Sequence, residues 1–133
     1  MHIELVKARF TFRFYPTDPQ KRSLARTFGC VRLAYNFALR LRSDSFKEGK
    51  TINYNASSAA LTVLKQAPEK AFMREVSCVP LQQSLRHLQT AYTTFFAKRA
   101  AYPSFKSKHG KQSAEYTSSA FKLDATNRNL TIS

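Results

Sequence analysis

The chain has 133 residues and carries 22 Lys and Arg against 8 Asp and Glu, a formal charge of +14, with 43% hydrophobic residues that include 11 Phe and 6 Tyr. That length makes one folded domain, able to bury about two thirds of the surface its unfolded form exposes, and the aromatic content with only 3 Gly excludes a disordered basic tail or a low-complexity segment. The charge calls for a polyanionic partner, nucleic acid first, and without a run of about 18 apolar residues or a charged-then-apolar leader the protein reads as cytosolic, with no membrane partner.

From Lys7 to Tyr15 the sequence alternates. Ala8, Phe10, Phe12 and Phe14 share one face, and Lys7, Arg9, Thr11, Arg13 and Tyr15 the other, which is the period of a strand. Its basic face either protects a sheet edge or tracks phosphates, which makes Arg9 and Arg13 candidate contacts. Pro16 ends the strand. Thr17 and Gln20 then have capping-box spacing, and Asp18 followed by Pro19 is a second start signal for a helix. Leu24, Ala25 and Phe28 give that helix a short apolar face, and Gly29 is expected to break or bend it before a central helix over 28–42. Two helices with Gly at their joint read either as a helix-turn-helix within 18–46 or as a helical hairpin in a bundle.

In the central run, Cys30, Leu33, Ala34, Phe37 and Leu41 fall on one side, while Arg32, Asn36, Arg40 and Ser43 line another. The first is a core stripe. The second is either a solvated face or a phosphate-binding one, because guanidinium forks match phosphate oxygens. Glu48 to Lys50 turns the chain, and Leu61, Val63 and Leu64 mark a helix over 55–65 with Ser57 and Ser58 near its start. Such serines cap the helix or meet a phosphate or base edge.

Pro68 stops this helix, 71–75 is expected to add one turn, and Pro80 opens the clearest helix, Leu81 to about Lys98. Leu81, Leu85, Leu88, Tyr92, Phe95 and Phe96 recur as its core stripe. Gln82 in its first turn has the groups to contact an adenine or to face water, and Arg86 lies on its polar ground. Tyr102 to Lys111 then forms a basic loop with aromatic anchors. Ala114–Leu123 and Leu130–Ser133 read as strands around a turn at 127–129, the partners of the first strand. The expected fold is α+β, mainly α: a helical bundle over 18–102 inserted into a small, incomplete split β-barrel over 1–17 and 103–133.

Catalytic constellations are missing from the pattern. The acidic residues are scattered singly: Asp18 serves as a cap, Asp44 and Glu48 close a helix, and Glu69 and Glu75 flank a turn. His2, His87 and His109 lie far apart in sequence, and Cys30 and Cys78 are too few and too separated for a ligand cluster. There is no C-x-x-C pair, P-loop or Gly-rich nucleotide fingerprint. The chain reads as non-catalytic, without metal or cofactor.

Four ordered stretches carry a resemblance: Y-P-T-D-P-Q, the central G-C-V-R-L-A-Y-N-F-A-L, the helix L-Q-Q-S-L-R-H-L-Q-T-A-Y-T-T-F-F, and the loop Y-P-S-F-K-S-K. Together they resemble the N-terminal region of the TnpB/OrfB proteins, transposon-encoded RNA-guided nucleases similar to the ancestors of type V CRISPR effectors, over nearly all of this chain. The resemblance implies a wedge-like β-barrel and a helical recognition lobe that hold guide RNA and the RNA–DNA heteroduplex and read a short duplex motif beside target DNA. By position it implies Tyr54, Ser58, Gln82 and Thr117 as contacts to that motif, Lys106 and Lys108 as the basic loop, and Tyr35 and Asn36 as the central helix signature. Ser104 stands where the family more often has arginine, so one phosphate contact is expected to be absent.

The family's RuvC-like carboxylates and zinc ribbon lie beyond the last residue of this sequence, so the chain is expected to be a fragment. Its open sheet edge is expected to favour self-association. Two other readings of the residues stay open: a stand-alone helix-turn-helix regulator that binds palindromic sites as a dimer, and a structural RNA-binding protein indifferent to sequence.

Overall fold

A computed structural model describes residues 14–124 and 129–132. Helix α1, Asp18–Lys47, starts as its sequence dictates: the Thr17 N–H donates to Gln20 Oε1 at 2.8 Å, and the Gln20 N–H donates back to Thr17 Oγ1 at 3.4 Å. This reciprocal cap satisfies two of the four N–H groups that a helix start leaves without partners.

The break expected at Gly29 is absent, and α1 runs 30 residues without interruption. The reason is energetic. A mid-helix glycine costs about 1 kcal/mol against alanine, whereas the buried positions Thr27, Cys30, Val31, Ala34, Tyr35, Ala38 and Leu39 continue across it at helical spacing and would lose their register if the helix ended there. The chain turns at Gly49 instead, whose φ of +78° is in the left-handed region. Among the described residues the order helix, turn, helix therefore falls at α1, 48–53 and the next helix, Tyr54–Gln66. A Cβ on Gly29 would meet nothing within 4 Å, so Gly29→Ala is expected to raise stability by about 0.5–1 kcal/mol in urea denaturation. A lower midpoint would restore a special backbone conformation at that position.

Helix α2, Tyr54–Gln66, is capped by Asn53, whose Oδ1 accepts from the Ala56 N–H at 2.9 Å. Where one turn was expected around 71–75, a 3-10 helix spans Pro68–Glu75 and buries Met73. Helix α3, Cys78–Phe96, starts three residues earlier than its apolar stripe suggested, because Ser77 Oγ accepts from the Val79 N–H and Pro80 sits in the first turn, where a missing N–H costs nothing. It closes with the Lys98 N–H on Phe95 O and the Arg99 N–H on Thr94 O, a Schellman pair with Lys98 at φ +60° where glycine is usual.

Helix α3 lies along α1, and α2 packs against both. Leu39, Leu61, Met73, Leu81, Leu85 and Leu88 fill the space between them. On α1 the stripe centres on Val31, Tyr35, Ala38 and Leu39, with Leu33 packed at its edge. Of the expected stripe, Cys30 and Ala34 are in the core while Phe37 and Leu41 are only half-buried, because α1 is covered by two helices rather than one. Phe96, expected in the core, is 62% exposed at the last residue of α3.

Strands β1, Phe121–Asp124, and β2, Asn129–Ile132, pair antiparallel with Phe121 opposite Ile132. The expected strand from Ala114 begins only at Phe121, after a 3-10 turn at Ser118–Ala120. The first strand falls, up to residue 13, outside the described residues, and Phe14 and Tyr15 join no ladder; among the described residues the expected split barrel is represented only by the β1–β2 pair, so the barrel is not confirmed. The described protein is mainly helical with a small two-stranded antiparallel sheet.

Candidate nucleic-acid interface

Two close cation–carboxylate pairs occur among the described residues, Lys21 with Asp18 at 3.9 Å and His87 with Glu115. Among the described residues, most lysines and arginines therefore lack a carboxylate partner, which leaves their charge for a polyanion.

The best-defined group of them is the loop after α3. Asn36, midway along α1, meets the backbone of Lys106 on both sides: its Nδ2 donates to Lys106 O at 3.0 Å, and its Oδ1 accepts from the Lys106 N–H at 2.7 Å. The side-chain amide stands in for a strand neighbour. Beyond it, Gln112 Nε2 donates to the carbonyls of Lys108 and Gly110 at 3.1 and 3.2 Å, and Ser107 Oγ accepts from the His109 N–H at 3.1 Å. The loop is thereby folded on itself before any ligand arrives. Arg32 on α1 lines one groove with Lys106 and Lys111, and Lys108 is exposed on the loop.

Tyr35 is only 7% exposed, and burial pushes its phenol up from the ordinary range. The Lys106 ammonium lies 4.6 Å from its ring centroid, so the tyrosine supports the loop cation from beneath. Tyr35 and Asn36 thus place the loop, the ring beneath the Lys106 ammonium and the amide against the Lys106 backbone.

A second group joins α2 to α3. Gln82 Oε1 accepts from Tyr54 OH at 2.9 Å and from Ser58 Oγ at 3.1 Å, and the Arg86 guanidinium lies 4.8 Å from the Tyr54 ring centroid. Two hydroxyl donors fix the orientation of the amide, and nothing among the described residues accepts from its Nε2. The cluster presents donors on a rigid floor. Thr117 lies apart, with its Oγ1 2.8 Å from Ser119 Oγ, on the segment that the His87–Glu115 pair returns to α3. Arg40 is exposed near Phe46, Tyr102 and Phe105. Arg9 and Arg13 lie outside the described residues.

A third group escaped the sequence reading, because its members come from three segments with no shared periodicity. Tyr102 OH is 2.8 Å from Ser43 Oγ and 2.9 Å from Tyr92 OH, and the Arg42 guanidinium lies 4.4 Å from the Tyr92 ring centroid. Burial is the main reason the Tyr92 phenol is pushed up to about 12, and burial also lowers Arg42. The sign follows. Unfolded tyrosine ionises near pH 10 while folded Tyr92 keeps its proton to about 12, so its contribution to stability is complete below pH ~10 and is lost as pH rises toward ~12. Urea midpoints measured from pH 9 to 12 are expected to fall less steeply in Tyr92→Phe than in the parent, and parallel profiles would remove Tyr92 as the source.

Among the described residues no three His, Cys, Asp or Glu side chains gather as a metal site, and no helix is long and apolar enough to cross a membrane.

Residues 1–51 match a helix-turn-helix domain family, the OrfB type of IS605 elements. The chain is 57% identical over 121 residues to the "Putative RNA-guided DNA endonuclease" of Streptomyces pristinaespiralis and 35% identical over 122 residues to the "Putative RNA-guided DNA endonuclease InsQ" of Escherichia coli (strain K12). These matches cover 90% and 91% of this chain and 30% of each relative. It is also 28% identical over 107 residues to "Virulence protein VsdF" of Salmonella dublin, covering 73% of this chain and 90% of that protein.

Proposed function

With the likeness to the TnpB/OrfB proteins established by the helix-turn-helix match and the two longer relatives, we propose that this chain is the nucleic-acid-binding module of a TnpB-like RNA-guided DNA endonuclease. It works in the cytosol, holds guide-type RNA and target DNA, and has no nuclease activity of its own. The observation that carries this reading is the basic loop pinned to α1 by Asn36, which holds Lys106 and Lys111 across a groove from Arg32 in a protein of charge +14. Affinity comes from these cations meeting phosphates. The Tyr54, Ser58, Gln82 and Arg86 cluster reads base edges of the duplex motif through the Gln82 amide and the Arg86 guanidinium, and Thr117, apart from it, contacts the same motif. Arg9, Arg13, Arg40 and Lys108 add phosphate contacts around these two centres.

The test is competition binding of structured RNA, duplex DNA and an RNA–DNA hybrid at two salt concentrations, with magnesium present and cleavage followed in the same tubes. Structured RNA or the hybrid is expected to win and nothing to be cut. If about six phosphates are engaged, the logarithm of affinity falls against the logarithm of salt with a slope near −5. A repeated duplex site bound by a dimer would transfer the chain to the regulator class, equal affinity for all nucleic acids to the structural RNA-binding class, and metal-dependent cutting would overturn the non-catalytic assignment.

A further inference from the structure

A separate surface combines aromatic rings with cations. Phe46 at the end of α1, Phe96 at the end of α3 and Phe105 in the following loop are 63%, 62% and 59% exposed, large rings that an isolated surface would normally cover. They are contiguous. A groove walled by Phe46, Tyr102 and Phe105 shares the first two with a neighbouring groove walled by Phe95 and Phe96, which in turn meets Lys98 and Arg99. Tyr102 stands edge-on to Tyr92 and Phe95, with centroids 5.4 and 5.1 Å apart, so the wall is braced from behind.

Cations interleave with these rings: Arg40 and Lys47 line the first groove, Lys50 the second, and Lys98 and Arg99 the third, against the single carboxylate of Asp44. Beneath them, Arg42 Nη1 is buried with no hydrogen-bond partner among the described residues. Lys98 keeps a lysine where the left-handed backbone favours glycine. The imbalance of sign argues for an occupant that is both anionic and flat-faced. In a duplex the bases are stacked and offer only their edges, whereas an unpaired strand carries phosphates beside open base faces.

We propose that this face is a stacking site for unpaired nucleobases of a single-stranded RNA or DNA segment. It rests on the nucleic-acid-binding reading above and differs from it in ligand, bases rather than phosphates. The exposed rings take successive bases, and the surrounding lysines and arginines follow the backbone between them.

The sequence has no Trp, so Phe96→Trp places one reporter indole in the face while keeping a ring to stack. The full chain is titrated with mixed-sequence single strands, as RNA and as DNA, and with an abasic strand of equal length and charge. Base-bearing strands are expected to quench the indole and to bind roughly five- to 150-fold tighter per stacked base than the abasic strand. The RNA and DNA arms tell which source is preferred. Phe46→Ala with Phe96→Ala is expected to bring base-bearing and abasic strands to equal affinity with abasic binding unchanged. Equal affinity in the parent, or a base preference that survives the double change, overturns the proposal and leaves the phosphate-binding reading standing. Concentration-dependent dimerisation that the double change abolishes, with no base preference, assigns the face to a protein partner instead. Failure of every strand and of structured RNA to bind overturns both readings.

Discussion

Asn36→Ala is expected to weaken the binding of structured RNA by roughly five- to 150-fold while leaving the salt slope unchanged. The magnitude comes from two hydrogen bonds to the Lys106 backbone, at 3.0 and 2.7 Å, each contributing about 0.5–1.5 kcal/mol. Without them the loop must be ordered by the ligand, and that cost appears in the affinity. The slope stays because no charge has been removed: the same cations release the same counterions once bound. Lys106→Ala combined with Lys108→Ala behaves in the opposite way, flattening the slope by about 1.4–1.8 while the loop keeps its anchor. If Asn36→Ala instead flattens the slope, the asparagine acts through charge recruitment elsewhere and the clamp is not its role. An unchanged affinity would mean that Lys106 does not touch the ligand at all.

Leu85→Ala is expected to cost 2–5 kcal/mol, the largest stability loss of any change considered. Leu85 is 1% exposed on α3 and belongs to the cluster that joins all three long helices. Truncation leaves a cavity that neighbours from three elements would have to close together. A domain of this size is stable by about 5–15 kcal/mol in total, so urea denaturation should show a large midpoint shift. Phe96→Ala serves as its control: a ring 62% exposed should change the midpoint by less than about 0.5 kcal/mol. Similar losses for the two would mean that the exposed face is covered in solution.

The caps Asn53 and Ser77 were not read, and the pattern put those helices at Asn55 and Leu81 instead of Tyr54 and Cys78. The start of α1 was legible because capping chemistry is local: Thr17 and Gln20 bond each other's N–H three residues apart, and nothing distant competes for that role. The α3 stripe was legible for the same reason, through Leu88, where period and burial agree. Gly29 misled because a glycine reports what the backbone can do, not what it does, and the decision lay with Cys30 and Val31 packing on other helices. The resemblance located Tyr54, Ser58 and Gln82 by position, and the structure brings the three together. Asn36 reads as a contact because an amide on a basic stripe has the right chemistry; its hydrogen-bond partner within the fold lies 70 residues away, and no pattern within the helix could name that partner. The long-range pairs of Tyr92 and Tyr102 with Ser43 are illegible on the same ground.

The unbroken α1 has a consequence of scale. Thirty residues at 1.5 Å each make a rod of about 45 Å, longer than one turn of B-form DNA at ~34 Å. Its first turns share a groove with β2 through Gln20 and Leu24, its midpoint grips the loop through Asn36, and its last turn ends at Phe46 on the aromatic face. Three stations along one stiff axis hold their separations like marks on a ruler. A nucleic acid touching more than one of them is measured for length and curvature as well as for charge.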